Sequence, residues 1–249
     1  MVRSMLPAIK GLIQNTLLDW EGKIAATVFL PNCNFRCPYC HAGYLVKAPK
    51  RLESIPFSAV ADLAERHKEW MDGIVISGGE PTLHDGLVDL TIEIKDLGLG
   101  VKLDTNGSKP EVINALIKTD QLDCVAMDVK APLTEKYYRV AGEEIDISAL
   151  ERSIAILMDW DGDYEFRMTV CPAFIEERDV IEAARAIGGA KRFILQQFKP
   201  DFCMSPQLRK VKPFNRDKLV RFAEQASKYV KECRVRGEPA EEFTAARLQ

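Results

Sequence analysis

Residues 24–41 read IAATVFLPNCNFRCPYCH, and this stretch decides how the rest of the chain is interpreted. Its first part, Ile24–Leu30, is continuously apolar, which is typical of a buried parallel strand. Its second part holds Cys33, Cys37 and Cys40 in a C-x3-C-x2-C spacing directly after that strand. A metal-ligating loop at the carboxyl end of a buried strand indicates an α/β protein whose functional site lies at the strand ends.

The three cysteines supply three thiolates within eight residues. A cubic iron–sulfur cluster has four irons and normally takes four cysteines, so three local thiolates leave one iron open to another ligand. A zinc site with His41 as fourth ligand is the main alternative, although structural zinc sites usually combine two separated ligand pairs and no second pair occurs here. A disulfide framework fits poorly with seven cysteines in a long chain that has no secretory signal. The spacing favours an iron–sulfur enzyme and leaves zinc binding or a chance spacing open.

The composition is that of an ordinary globular protein. Of the 249 residues, 47% are hydrophobic and 29% are charged, which is enough to bury a large core without disulfides. The net charge of −3 and the lack of a basic stripe argue against a nucleic-acid partner. No apolar stretch is long enough to span a membrane, so we expect a cytoplasmic protein. We predict one domain over residues 1–249, with a core at about 20–200 and a C-terminal amphipathic helix and tail at 210–249.

Strand-like and helix-like segments alternate along the chain. The predicted strands are Ile24–Leu30, Gly73–Ser77, Val101–Asp104, Cys124–Asp128, Tyr164–Val170 and Arg192–Gln197, with a short terminal strand at Arg234–Arg236. Three predicted helices cover Phe57–Met71, Asp179–Ile187 and Asp217–Lys231. A fourth has Leu87, Leu90, Ile94 and Leu97 aligned on one face. Two more begin at the capping boxes Ser108-x-x-Glu111 and Ser148-x-x-Glu151. Six βα units predict a parallel sheet.

Polar clusters follow nearly every predicted strand. They are Cys33–Cys40, Ser77–Thr82, Asp104–Gly107, Asp128–Lys130, Thr169–Pro172 and Gln196–Gln197. An open sheet concentrates such residues at one switch point, whereas a barrel gathers all strand ends around one mouth. The distribution therefore predicts an α/β fold with a partial (β/α)6 barrel of parallel strands.

The sequence SGGEPT at Ser77–Thr82 resembles the Gly-Gly-Glu-Pro motif of the radical S-adenosylmethionine (SAM) enzymes, and the cysteine loop matches theirs. Further stretches at Leu103–Gly107, Met127–Lys130 and Arg167–Pro172 are similar to activating enzymes of glycyl-radical proteins. The chain is most similar to the activating protein of anaerobic ribonucleoside-triphosphate reductase, with pyruvate formate-lyase activase as a near relative.

This resemblance implies a radical SAM oxidoreductase of anaerobic metabolism. Cys33, Cys37 and Cys40 would hold a 4Fe–4S cluster whose open iron chelates SAM. One electron from a flavodoxin- or ferredoxin-type donor would cleave SAM, and the resulting 5′-deoxyadenosyl radical would take a hydrogen atom from a glycine of a glycyl-radical enzyme. The partner protein's glycine loop would enter the barrel mouth.

The resemblance also implies further cofactor-binding residues. A glycine pair lets backbone approach a ligand closely, and the motif residues Gly78, Gly79, Glu80 and Pro81 would bind the methionine amine of SAM. The SAM carboxylate, with a monovalent cation in some relatives, would lie against Asp104, Thr105 and Asp128. Asn106, at the same strand end, would also contact the cofactor, and Lys130 would neutralise the carboxylate. The adenine would lie near Tyr39 and His41. Turn chemistry at Asn106-Gly107 and a surface ion pair between Asp128 and Lys130 are the simpler explanations of those two segments.

Two other functions stay open from the sequence. One is a radical SAM enzyme that acts on a small molecule, as 7-carboxy-7-deazaguanine synthase does. The other is a non-enzymatic iron–sulfur electron carrier or metal-stabilised binding module. The second alternative leaves the open iron and the strand-end clusters without a purpose.

Overall fold

A single eight-stranded sheet forms the centre of the protein in a computed structural model, which describes residues 5–237. The strands are β1 Gly11–Thr16, β2 Ala25–Leu30, β3 Gly73–Gly78, β4 Gly100–Thr105, β5 Cys124–Asp128, β6 Asp163–Val170, β7 Phe193–Gln197 and β8 Cys233–Arg236. They lie in sequence order, with β1 antiparallel to β2 and every other neighbouring pair parallel. Within residues 5–237, β1 and β8 do not pair, so the prediction of a partial parallel barrel is confirmed.

Eight α-helices of the described chain follow or connect these strands. They are α1 Gly43–Lys47, α2 Phe57–His67, α3 Leu87–Asp96, α4 Pro110–Lys118, α5 Lys136–Ala141, α6 Ile147–Asp159, α7 Glu177–Ala186 and α8 Arg216–Ala226. No helix within residues 5–237 combines the length and apolar character needed to cross a lipid bilayer. The predicted boundaries of the core, 20–200, and of the tail, 210–249, stay predictions, and positions 238–249 lie outside the described residues.

Several local expectations were wrong. The helices predicted over 57–71 and 217–231 end earlier, at His67 and Ala226. Neither serine of the two predicted capping boxes caps its helix, because the N-cap residues are Lys109 and Asp146. The Ser108 hydroxyl instead accepts a hydrogen bond from the side-chain amide of Asn34 in the cysteine loop, at 2.9 Å.

Strand β1 was not predicted, because its side chains show no clear alternation. Ile13, Gln14 and Asn15 are exposed and the other three residues are half-buried. An edge strand with one neighbour buries too little surface to impose a period of two on its sequence. Helices α1 and α5, of five and six residues, were missed because a single turn carries little periodicity.

Two layers of side chains fill the barrel below its mouth. Trp20, in the loop after β1, packs with Ala25, Val75 and Cys124 to close the amino-terminal end. Above it lies a buried charge network: Lys102 Nζ donates to the Asp19 carbonyl oxygen at 2.6 Å and lies 3.4 Å from Glu165 Oε1. An α/β barrel normally fills this space with apolar side chains, so the charged layer is a distinctive feature of this chain.

Strand β8 is tied to the same network. Arg236 binds both carboxylate oxygens of Glu165, at 3.0 and 2.9 Å, and Arg234 binds both oxygens of Glu21, at 2.6 and 2.9 Å. Glu21 belongs to the loop after β1, so the Arg234–Glu21 contact joins the two edges of the open barrel, whereas the Arg236–Glu165 contact ties β8 to β6. Paired guanidinium–carboxylate hydrogen bonds fix relative orientation as well as distance.

Glu165 makes part of the stability pH-dependent. Burial raises the pKa of this carboxyl, but Arg236 and Lys102 outweigh burial, and the net pKa falls from 4.5 to about 2. Because the folded-state pKa lies below the unfolded one, the stabilisation is complete above about pH 4.5 and is lost as the pH falls toward 2. The shift corresponds to about 3 kcal/mol of unfolding free energy.

We expect the stability advantage of the wild type over Glu165→Gln to shrink by about that amount between roughly pH 5 and pH 2. Urea denaturation of both proteins at a series of pH values measures the difference in unfolding free energy. The glutamine variant serves as the control, because its side chain has the shape of glutamate but cannot titrate. An advantage that stays constant over this window would contradict the assignment.

Candidate functional site

A cavity of about 590 Å³ opens at the carboxyl ends of the strands. Its lining includes thirteen of the fourteen residues predicted for the site: Cys33, Cys37, Tyr39, Cys40, His41, Gly78, Gly79, Glu80, Asp104, Thr105, Asn106, Asp128 and Lys130. The fourteenth, Pro81, begins a short 3-10 turn and does not line the cavity. Residues far apart in sequence therefore meet at one mouth, as the strand-end clusters predicted.

The cysteine loop is held in place by its own backbone and by Arg36. Cys40 N–H donates to the Cys37 carbonyl oxygen at 3.0 Å, and Arg36 Nη1 donates to the carbonyl oxygens of Cys33 and Phe35 at 2.5 and 2.8 Å. From the neighbouring strand end, Asn106 Nδ2 lies 3.8 Å from the sulfur of Cys33. The loop presents its thiols from a braced backbone.

Burial opposes ionisation of all three thiols. It raises the pKa of Cys37 to about 12 and raises the pKa values of Cys33 and Cys40 as well. A bound iron would supply the positive charge that compensates this burial and favours the thiolate form.

The Glu80 carboxylate joins two strand-end loops. It is almost fully buried and accepts four hydrogen bonds: from Thr82 N–H and Oγ1 at 3.1 and 2.6 Å, from Thr105 Oγ1 at 2.7 Å and from Asn106 N–H at 2.6 Å. Burial raises its pKa even so. The sequence suggested that this carboxylate binds the SAM amine directly. That contact stays a prediction, and the structure shows that its oxygens already hold the β3 and β4 loops together.

A charged bridge crosses the cavity floor. The Arg167 guanidinium lies 3.3 Å from both Asp104 and Asp128, and Lys130 Nζ lies 2.8 Å from Asp128. Burial raises the pKa of Asp104, whereas for Asp128 the cations Lys130 and Arg167 outweigh burial and lower the pKa. The difference arises because Asp128 contacts two cations and Asp104 only one.

The radical SAM superfamily profile matches residues 27–187. This chain belongs to the radical SAM superfamily. "Putative glycyl-radical enzyme activating enzyme MJ1227" of Methanocaldococcus jannaschii is 33% identical over 235 residues, which are 91% of this chain and 94% of the relative. A 7-carboxy-7-deazaguanine synthase of Halobacterium salinarum is 34% identical over 95 residues, or 36% of each chain. The crystal structure of a domain of the pyruvate-formate lyase-activating enzyme of Bacteroides vulgatus covers 67% of this chain and 99% of that domain, with a TM-score of 0.55 and 15% identity, a likeness of fold.

Membership of the radical SAM superfamily confirms the predicted enzyme class and its two cofactors, a 4Fe–4S cluster and SAM. The relative that matches nearly the whole chain places it among homologues of glycyl-radical enzyme activating enzymes.

The residues of this radical SAM enzyme fit a cluster better than a single metal ion. Within the described part of the chain, no three His, Cys, Asp or Glu side chains are arranged to hold one ion. His41, the fourth ligand of the zinc alternative, places its Nε2 2.8 Å from the carbonyl oxygen of Lys199. The three thiols of the loop line one cavity, and a cluster with several irons is the group that uses thiolates at separate positions, so the cluster assignment stays the prediction.

The cavity also holds an unpartnered polar atom. The hydroxyl of Tyr39 is buried without a hydrogen bond to any group in residues 5–237, and Tyr39 lines the cavity. Buried polar atoms are normally satisfied, so this hydroxyl indicates a polar ligand. Its contact with adenine and the contact of Asp104 with the SAM carboxylate stay predictions.

A monovalent cation fits this radical SAM site less well. Its predicted ligands, Asp104 and Asp128, already have Arg167 and Lys130 against them, and the Thr105 hydroxyl donates to Glu80. The chain itself therefore neutralises the two carboxylates.

Sequence reasoning missed the residues that close the far side of the cavity. Asp19, Arg167, Met204 and Arg236 all line it, and none of them was predicted as a site residue. The loop after β7 lies against the cysteine loop, because Met204 N–H donates to the carbonyl oxygen of Cys40 at 3.0 Å. One feature of the sequence could have indicated Arg167. Strand β6 carries Glu165 and Arg167 at alternate positions, and a buried strand seldom carries charged residues.

The glycine pair is required by backbone packing. Gly79 N–H donates to the Leu30 carbonyl oxygen at 2.8 Å, and a Cβ added at Gly79 would overlap the carbonyl oxygen of Asn32. We expect Gly79→Ala to displace the cysteine loop and to lower 5′-deoxyadenosine formation from SAM about 100-fold, as a misplacement of about 1 Å does elsewhere. Anaerobic product assays of reconstituted protein measure the loss.

Gly43→Ala is the matched control, because its added Cβ would make ordinary contact, 3.4 Å from the Met204 side chain. Equal activity of the two alanine variants would show that the close approach of Gly79 to the cysteine loop does not matter for catalysis.

Proposed function

We propose that this radical SAM enzyme generates a glycyl radical on a partner protein, with anaerobic ribonucleotide reductase as the first candidate partner. The observation that carries the proposal is the similarity to a glycyl-radical enzyme activating enzyme along nearly the whole chain. The match to 7-carboxy-7-deazaguanine synthase covers about a third of either chain and supports the small-molecule alternative less well.

In this proposal Cys33, Cys37 and Cys40 hold the cluster, and the cavity beside them binds SAM. When bound and reduced, the two cofactors supply a 5′-deoxyadenosyl radical that takes a hydrogen atom from glycine. The contribution of the protein is to position the cofactors. The braced cysteine loop and the Glu80 hydrogen bonds fix the cavity wall before any ligand enters, so little reorganisation is needed at the moment of reaction.

The ion network sets the electrostatics of the SAM site. Lys130 Nζ lies 2.8 Å from the Asp128 carboxylate, and the Arg167 guanidinium bridges Asp128 and Asp104. We propose that Lys130 faces the SAM carboxylate and that Asp104 and Asp128 hold Lys130 and Arg167 in place. The Lys130 ammonium stays charged at neutral pH because the Asp128 carboxylate raises the pKa of Lys130 despite its burial.

We propose that the electron comes from a flavodoxin- or ferredoxin-type protein in an anaerobic cytoplasm. Exposed Arg36 gives the outer side of the cysteine loop a positive charge, which suits a donor with an acidic surface. The seven cysteines, all free, fit a reducing compartment.

The decisive experiment mixes the reduced, reconstituted protein with SAM and anaerobic ribonucleotide reductase in the absence of oxygen. We expect a glycyl-radical doublet in the EPR spectrum that depends on SAM and on this protein. No doublet with ribonucleotide reductase or with any other glycyl-radical enzyme, together with turnover of a small molecule, would reject the proposal in favour of the alternative.

A further inference from the structure

The wall of the cavity opposite the glycine pair is formed by a row of three polar residues. In the sheet register Thr169 of β6 lies beside Gln196 of β7, and Gln196 lies beside Arg236 of β8. All three line the cavity. The residues predicted to bind SAM come from the loops after β2 to β5, so this row faces the space that the cofactors leave to a substrate.

Arg236 brings no free charge to the row. Both oxygens of Glu165 bind its guanidinium, at 3.0 and 2.9 Å, and Glu165 is itself buried. Buried Lys102 and the cavity-lining Arg167 are likewise paired with carboxylates. A charged small molecule would find no free counter-charge on this row, whereas an uncharged hydrogen-bonding group would meet neutral partners.

Gln196 is the neutral residue with spare hydrogen-bonding capacity. Its Oε1 has a weak contact with the Thr169 hydroxyl at 3.5 Å, and its Nε2 has no partner within residues 5–237. The amide of the next residue, Gln197, is engaged differently, since its Nε2 donates to the Phe214 carbonyl oxygen at 3.0 Å. One of the two neighbouring amides is thus held by the fold and the other is available to a ligand.

We propose that Gln196 is a specificity-determining residue that binds the main chain of the substrate's glycine segment. This inference rests on the proposed function. A carboxamide has one donor side and one acceptor side, so it forms two reciprocal hydrogen bonds with a peptide group, which also has both. Recognition through the main chain suits a glycine because glycine has no side chain that the protein could contact.

The test uses a capped, uncharged peptide, acetyl-Ala-Ser-Gly-Ala-Ser-amide, with two deuterium atoms on the glycine α-carbon. Transfer of deuterium to 5′-deoxyadenosine, measured by mass spectrometry, reports abstraction from that carbon. We expect Gln196→Leu to raise the peptide KM at least about 10-fold, as the loss of two hydrogen bonds predicts, while the KM for SAM stays within about twofold. Gln14→Leu, at an exposed position of β1 outside the cavity, should match the wild type.

A second peptide with N-methylglycine in place of glycine tests the reciprocal bond, because it lacks the N–H. The wild type should prefer the glycine peptide at least about 10-fold, and Gln196→Leu should lose that preference. Unchanged peptide KM in Gln196→Leu, or no preference in the wild type, would overturn the inference. No deuterium transfer in the wild type, with a positive EPR doublet on the partner protein, would also overturn it and leave the proposed function standing. Failure of the EPR experiment itself would remove the proposed function instead.

Discussion

Cys37→Ala is expected to abolish both the iron–sulfur absorption and the formation of 5′-deoxyadenosine from SAM. Cys37 is the most buried of the three loop cysteines, with 6% of its surface exposed, and all three thiols line the cavity. In the proposed function, removing it leaves two thiols for a cluster that already has one ligand fewer than the usual four. Iron content, the visible spectrum and anaerobic product analysis together measure the effect.

Cys233→Ala is the matched control, because Cys233 is a half-buried thiol in β8 that does not line the cavity. We expect it to bind iron and to cleave SAM as the wild type does. A Cys37→Ala protein that kept full iron and product formation would show that the loop does not hold the cluster, and the proposed function would fail with it.

Arg167→Gln is expected to cause the largest loss of stability. The Arg167 side chain is 11% exposed and lies 3.3 Å from Asp104 and from Asp128, so its removal takes the contacting cation from Asp104 and one of two contacting cations from Asp128, two partly buried carboxylates. Breaking a buried ion pair from one side costs about 3–5 kcal/mol, because the partner charge stays buried without compensation. Urea denaturation at neutral pH measures the free energy of unfolding.

The control is Arg152→Gln. Arg152 lies 3.6 Å from Asp146, with both side chains more than half exposed, and such pairs contribute about 0–1 kcal/mol. Similar losses of unfolding free energy in the two variants would mean that the Asp104–Arg167–Asp128 bridge adds no more stability than a surface pair.

The stability of Arg167→Gln is also expected to recover in part at acid pH, because protonation of Asp104 then removes one of the unpaired charges.

The strand pattern was largely predictable from periodicity, and the exceptions are instructive. Strand Cys124–Asp128 was predicted to the residue, because a fully buried strand flanked by polar residues is unambiguous. Strand Gly11–Thr16 was missed because its one-sided pairing leaves half of its side chains in solvent. The predicted serine caps were wrong for two different reasons. Ser108 contacts the cysteine loop instead, across 74 positions that no local motif contains, and Ser148 donates its hydroxyl to Asp146, the residue that takes the N-cap position.

The candidate site divides in the same way. The sequence by itself determined the parts whose chemistry is encoded over a few consecutive residues: three thiols within eight positions, and a glycine pair that allows close backbone contact. Only the tertiary structure decided that Glu80 joins two loops, that Arg167 bridges two aspartates and that Arg236 completes the cavity wall beside Gln196. These contacts depend on the register of strands far apart in the chain. Register is set by packing of the whole sheet, which a local pattern of residues does not contain.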